Sequence, residues 1–416
     1  MKKFVSIFAA ALCVFGAKAQ DSKATIEVHG FIRNYCAVDS RRMIGLTEDF
    51  FTYVPYDKQY VDGVDVNSYF NSRFAALTSR LWVEAKGYEV EGWKVGARIE
   101  ADFYNGLGND KVTGTANLRL RQAFFTLSKN AWNFKFGQAW HPMAADMPDI
   151  FSLNTGAPFG PFSRTPQFSG EVKFSDAFSL NVAALWQMQY TSTGPDGKSA
   201  SYIKYGNTPE MYLGVNLKTG GLLLRAGVDV LSIKPKVFGV NADNKTVKVK
   251  DRITTVTPFF FLKYATDNFS VKFKTVFAEA GEHVNLNGGY GLSKINDDGS
   301  WEYTPSRNSS SWLSICVGKK VQGILFAGYV KNFGTKKALL DPNEFWFSGN
   351  SFKNMNRMAR VTPTVIYNLG KVALGLEYEG TAVQYGKDLN VEKGLYDKGL
   401  HWVVNHRVQA LLKYTF

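Results

Sequence analysis

The ten residues from Arg407 to Phe416 carry an apolar residue at every second position. Val408, Ala410, Leu412, Tyr414 and Phe416 fall on one phase of a two-residue period, and Arg407, Gln409, Lys413 and Thr415 on the other. One face suits lipid and the other suits water. The segment ends on an aromatic residue, so its outer hydrogen-bonding edge needs a partner, and the first strand of the same chain is the simplest one. The pattern recurs upstream. In Trp93 to Phe103 every ionisable group occupies one phase; Phe269, Val271, Phe273, Thr275 and Phe277 oppose Ser270, Lys272, Lys274 and Val276; Val372, Leu374, Leu376 and Tyr378 oppose Ala373, Gly375, Glu377 and Glu379. A Lys or Arg facing lipid near the bilayer midplane costs about 2–4 kcal/mol, so the charged phases must line water. These periodicities predict an all-β protein, a transmembrane antiparallel up-and-down β-barrel.

Segments of about ten residues are joined by connections that alternate between short and long. The short turns fall at 89–92, 129–131, 175–177, 219–221, 266–268, 319–322 and 369–371, and are rich in Gly, Asn, Asp or Lys. Long loops near 39–68, 105–117, 142–163, 191–209, 235–250, 281–309, 334–357 and 384–403 imply about sixteen strands, with the short turns facing the periplasm. A barrel of about that size is too wide for side chains to fill, so a water-filled channel is expected. Thr254 to Tyr264 and Ile324 to Phe333 are ambiguous in phase. Pro258 and Pro363 lie inside predicted strands, where bulges are expected.

Residues 1–19 read as a secretory signal peptide: Lys2 and Lys3, an apolar run from Phe4 to Ala17, and the small-residue site Ala17-Lys18-Ala19. Cys13 raises the alternative of a lipoprotein signal, against which Leu12 stands where a small residue is wanted. The apolar run is shorter than the roughly 20 residues of a membrane-spanning helix. Residues 20–416 then form one barrel domain.

Composition narrows the function. The 416 residues are 45% hydrophobic and 15% aromatic, with 38 Gly and a net charge of +13; loss of Lys2, Lys3 and Lys18 with the signal leaves the mature chain at +10. Such a balance suits anionic headgroups or an anionic solute. Nucleic acid is not expected as a partner, since a secreted chain without a clustered Lys/Arg arm or a binding motif gives it little support. Cys36 and Cys316 are the mature cysteines, lie far apart, and are expected unpaired.

The loop 142–163 is too apolar for a surface tip. Met143, Met147, Ile150, Phe151, Leu153, Phe159 and Phe162 must pack against something, and the inner wall is available. Pro142, Pro148, Pro158 and Pro161 stiffen it, and Gly156 and Gly160 let it bend. Asp146 and Asp149 then become candidate lumen carboxylates, with turn or helix-start roles as the alternative. Arg33, Arg73, Arg80, Arg98, Arg119 and Arg121 recur on neighbouring early strands, and Arg164 follows the loop. Fixed forks of donors on such a wall favour carboxylate or phosphate. The alternative is that each Arg pairs with a lumen acid, among them Glu27, Glu84, Glu100 and Asp102, and sets barrel shape. Facing Asp146 and Asp149, Arg119 and Arg121 would also create a transverse field. Trp82, Trp93, Trp132, Trp186, Trp312 and Tyr414 are candidates for interfacial girdles, although Trp82 falls on the charged phase.

Leu118-Arg119-Leu120-Arg121-Gln122-Ala123-Phe124-Phe125-Thr126-Leu127, then Phe134-Lys135-Phe136-Gly137-Gln138-Ala139-Trp140-His141-Pro142, then Arg164-Thr165-Pro166-Gln167, resembles the corresponding region of DcaP-like porins within the general porin superfamily. The resemblance covers roughly residues 118–172. It implies that the third long loop, 142–163, folds into the lumen and narrows it, and that the protein is a homotrimer in the bacterial outer membrane, among its lipids.

A catalytic set is lacking: His29, His141, His283, His401 and His406 are scattered, and neither G-x-S-x-G, H-E-x-x-H nor a CxxC pair occurs. No enzyme activity, metal or cofactor is therefore expected. Asn296-Asp297-Asp298-Gly299 reads as a hairpin tip before it reads as a cation site. The expected function is passive diffusion of small hydrophilic solutes, with a preference for anions, past a constriction of Arg33, Arg80, Arg98, Arg119, Arg121, Arg164, Glu100, Asp102, Asp146 and Asp149. The alternatives are a surface-binding barrel with an inert lumen and a substrate-specific sugar channel.

Overall fold

The computed structural model describes residues 24–46, 50–104 and 116–416. The signal-peptide residues and most of the loop 105–117 lie outside them. Sixteen strands close on themselves: β1 (Thr25–Asp39), β2 (Arg80–Val90), β3 (Trp93–Tyr104), β4 (Asn117–Lys129), β5 (Trp132–Trp140), β6 (Arg164–Lys173), β7 (Phe178–Leu185), β8 (Glu210–Thr219), β9 (Leu222–Ile233), β10 (Ile253–Ala265), β11 (Phe269–Glu279), β12 (Trp301–Val317), β13 (Val321–Thr335), β14 (Met355–Leu369), β15 (Val372–Tyr385) and β16 (His401–Thr415). Each pairs antiparallel with its neighbour in sequence. β1 pairs with β16 from Phe31 opposite Thr415 to Asp39 opposite Arg407, which closes the ring.

The alternation read from the sequence is obeyed in three dimensions. On β16, Val408, Leu412, Tyr414 and Phe416 are exposed, whereas Arg407 and Gln409 are buried on the inner face. A wall with aliphatic and aromatic side chains outside and charges inside is a membrane barrel. The strands of ambiguous phase resolve with apolar residues on both faces: β10 turns Phe259 and Phe261 inward, and β13 turns Ile324, Phe326 and Val330 inward. Trp312 also points inward, so it is not part of a girdle; Trp132, Trp186 and Tyr414 are exposed.

The expected bulges at Pro258 and Pro363 are absent. Pro258 sits opposite Val228 and Pro363 opposite Leu325 without a shift of register, and on the other side each ladder omits the proline, so its missing N–H breaks no bond. Shifts occur instead at Ala85/Tyr88, Glu100/Ala101, Arg307/Asn308 and Met355/Arg357. β2 has a separated outer piece, Asn71–Ala75, which pairs with the upper part of β1, while residues 76–79 leave the ladder. The loop 281–309 is shorter than expected, because β12 begins at Trp301. Asn296 to Ser300 form a hydrogen-bonded turn with Gly299 at φ +83°. Both cysteines are free, and Cys36 is exposed.

The segment 141–163 lies against the inner wall. Lys274 Nζ on β11 donates to the carbonyls of Met143 (2.7 Å) and Asp146 (2.6 Å). Tyr35 on β1 donates to the carbonyl of Phe151 (3.0 Å), and Arg360 on β14 to that of Ala157 (3.0 Å). Asn154 donates to Glu379 on β15 (2.9 Å). Its apolar side chains meet the inward rings of the ambiguous strands: Phe159 stands 5.9 Å from Phe326, and Gly328 and Gly160 leave room for Phe159 and Trp312, where a Cβ would come within 2.5 Å. Part of the first loop also enters the barrel. Phe51–Pro55 is buried throughout, Phe51 meets Phe162 at 5.3 Å, and Tyr385 donates to the carbonyl of Pro55 (2.7 Å).

Candidate functional site

Beside these inserts a cavity of about 640 Å³ remains, lined by Arg33 on β1, Arg80 on β2, Arg119 and Arg121 on β4, and Arg164 on β6, with Lys413 on β16 and Lys198 from a loop. Adjacent strands of a meander place these residues side by side, and the two-residue period turns them inward. The ladder is irregular at Arg121: Glu100 pairs with Gln122 and Ala101 with Leu120, which leaves Arg121 as the extra residue of a bulge, so that Arg121 and its neighbour Gln122 are both buried on the inner side.

Two buried carboxylates hold the arginine row from behind. Asp102 accepts two bonds from Arg119, both 2.9 Å, and one of 2.7 Å from Arg121. Glu100 accepts from Arg121 (2.6 Å), Arg98 (2.5 Å) and Gln122 (3.0 Å), with Arg80 at 3.5 Å. Glu100 and Asp102 are essentially inaccessible, so the cations face the cavity and the anions do not. Arg98 is held between Glu84 (2.8 Å) and Glu100 and does not line the cavity. Glu27 pairs with Lys86 and His29 instead of an arginine.

Arg33 and Arg164 have no carboxylate among the described residues within ion-pair distance. Arg33 donates to the Thr78 hydroxyl through Nε (2.8 Å) and Nη2 (2.5 Å). Arg164 is buried, with Nη1 unbonded, and lies 4.8 Å from the Trp140 ring and 5.5 Å from that of Phe162. Arg119 stacks on Tyr104 at 3.8 Å. These cation–π contacts keep guanidinium planes fixed where carboxylates are absent. Tyr190 shares this wall, and burial pushes its hydroxyl up to about 12.

Asp146 and Asp149 do not face the arginines. Asp146 pairs with Arg225 on β9 (3.0 Å), and Asp149 is taken by Lys272 and Ser270 on β11. The segment contributes Met147, Leu153, Thr155 and Phe162 to the cavity instead. The transverse field expected between these acids and Arg119 and Arg121 is therefore not built: wall cations consume both carboxylates. Lys413 was legible on the water phase of the last strand, whereas Lys198 and Gln189, on long loops, carry no periodic signal.

No family model matches the chain, and no curated protein matches its sequence. Solved structures do. The outer membrane channel DcaP of Acinetobacter baumannii superimposes with a TM-score of 0.67 at 18% identity, over 96% of this chain and 99% of that one. The anion-selective porin from Comamonas acidovorans gives 0.53 at 11% identity, over 95% and 100%. OmpT of Vibrio cholerae gives 0.52 at 12%, over 96% and 100%. At such identities the likeness concerns the fold, and the fold of this chain is that of outer-membrane porins.

Proposed function

We propose that the protein is a passive outer-membrane channel for small hydrophilic solutes that prefers anions, with Arg33, Arg80, Arg119, Arg121 and Arg164 as the selecting surface. One observation carries this reading: five guanidinium groups line a single cavity, and the two carboxylates that hold three of them, Arg80, Arg119 and Arg121, are buried behind them. Five guanidinium groups against two carboxylates leave three positive charges in excess, to which Lys413 and Lys198 of the same lining add, in a setting where low-dielectric walls strengthen the field. The anion selectivity of the Comamonas acidovorans porin, which shares the fold, supports the same reading.

A sugar channel would need free aromatic planes, and here Tyr104 and Trp140 are covered by Arg119 and Arg164. The segment 142–163 would serve as the constriction, residues 1–19 as the cleaved signal, and the homotrimer as the assembled form. In planar bilayers under a salt gradient, the reversal potential of the wild type should lie on the anion side. Combined Arg33→Gln, Arg119→Gln and Arg164→Gln substitutions should move it toward cations. An unchanged potential would refute the role of these arginines, and a protein passing no current would favour an inert barrel with binding loops.

A further inference from the structure

Two histidines that sequence spacing left unrelated meet inside the barrel. His141 follows β5 at the root of the inserted segment, Glu210 opens β8, Asp229 lies within β9, and His283 sits in the short helical turn Gly281–Val284 after β11. All four are buried. His141 Nε2 lies 2.8 Å from Glu210 Oε1 and 3.6 Å from Asp229 Oδ1; His283 Nε2 lies 3.2 Å from Asp229 Oδ2 and 3.6 Å from Glu210 Oε1.

We propose that these four side chains form a structural site for a divalent transition metal, zinc by donor chemistry. Two neutral imidazoles and two carboxylates carry a charge of −2 in a buried place, which one divalent cation cancels. His141, Glu210 and Asp229 each offer one donor atom, and these atoms lie within 4.8 Å of one another; His283, 3.2 Å from the other oxygen of Asp229, has to move in as the fourth ligand for the donors to reach the spacing of about 3.3 Å that bonds of about 2.0–2.1 Å in a tetrahedron require. Asp229 Oδ1 has no hydrogen-bond partner although it is buried, so a donor atom is already free at the centre.

His283 Nδ1 lies 3.2 Å from the carbonyl of Ala280. A proton on that nitrogen leaves the Nε2 lone pair turned to the carboxylates, the tautomer that metal ligation uses. His141 is the costly member. Its Nδ1 accepts from the Met143 N–H at 3.2 Å, and a metal on Nε2 requires that bond to be given up.

Protons are the competing counter-charge: burial opposes charge on both imidazoles, yet the two carboxylates outweigh it and raise each to about 9. A metal would tie the root of the inserted segment to β8, β9 and the loop after β11 in one step. That would hold the constriction against the wall.

Metal analysis of the full-length barrel, extracted without chelator and dialysed against zinc, tests this directly. Near-stoichiometric zinc is expected, and Co2+ in its place should give the intense visible bands of tetrahedral coordination. His283→Ala and Asp229→Asn should abolish both signals, while His29→Ala, at the half-exposed Glu27–His29–Glu84 group, should abolish neither. Heat-modifiable gel migration identifies any variant that fails to fold, and the cobalt spectrum of the wild type needs no variant. Absence of bound zinc and of a cobalt spectrum in the wild type, or signals surviving in folded His283→Ala, would overturn the proposal in favour of a proton-filled cluster.

Discussion

At the scale of single residues, Glu100 shows how the same carboxylate serves the fold and opposes the proposed function. It is shared by Arg121, Arg98 and Arg80. Removing one partner from a buried charge network costs about 3–5 kcal/mol, because the remaining charges lose their compensation. Glu100→Gln should therefore lower the unfolding midpoint of the refolded barrel in urea while moving the reversal potential further toward anions. A variant that is destabilised with no change of selectivity would show that the row acts on shape alone. Thr78 is a second residue of this kind. It adopts φ +67°, unusual for a β-branched residue, and its hydroxyl receives Arg33. The alternation of each strand was enough to place Arg33 and Arg80 on the wet face. The bulge that brings Arg121 and Gln122 to the same carboxylate left no mark in the residue pattern.

At the scale of elements, the two strands that could not be phased, β10 and β13, are covered by the inserted segment, as is β12. β10, β12 and β13 carry Phe261, Trp312 and Phe326 inward because Phe159 and its neighbours shield them from water. Polar alternation reads burial against lipid and water, and it fails where the lumen itself is apolar. The apolar content of 142–163 announced the insertion; the first loop, whose Phe51, Tyr53 and Val54 are equally buried, was given no such reading. Gly328 is the contact to test, since a Cβ there would stand 2.5 Å from the Phe159 ring. Gly328→Val should unseat the segment and raise single-channel conductance, while heat-modifiable migration shows that the barrel still closes. Conductance equal to the wild type in a folded barrel would mean that Phe159 does not hold the segment in the passage.

At the scale of the whole molecule, the net charge of +13 is less informative than where the charge sits. On β14 to β16 the arginines Arg360 and Arg407 are paired and buried: Arg407 with Asp39 at 2.7 Å and Arg360 with Glu379 at 3.4 Å. On the wall from β1 to β6 the arginines outnumber their carboxylates and face the cavity. A barrel with paired arginines on one side and an excess of cations on the other attracts anions through an unpaired field, and salt screens such a field. The Debye length falls from about 10 Å at 0.1 M to about 3 Å at 1 M, so the field of an arginine should reach across the passage at low salt and be confined to its own side at high salt. The anion-to-cation permeability ratio should therefore be largest in dilute KCl and fall toward unity as salt rises. The Arg33, Arg119 and Arg164 variant should show little of that slope. A ratio independent of salt would point to contact binding at individual guanidinium groups, because a stacked fork of donors, unlike a diffuse field, keeps its geometry whatever the ionic strength.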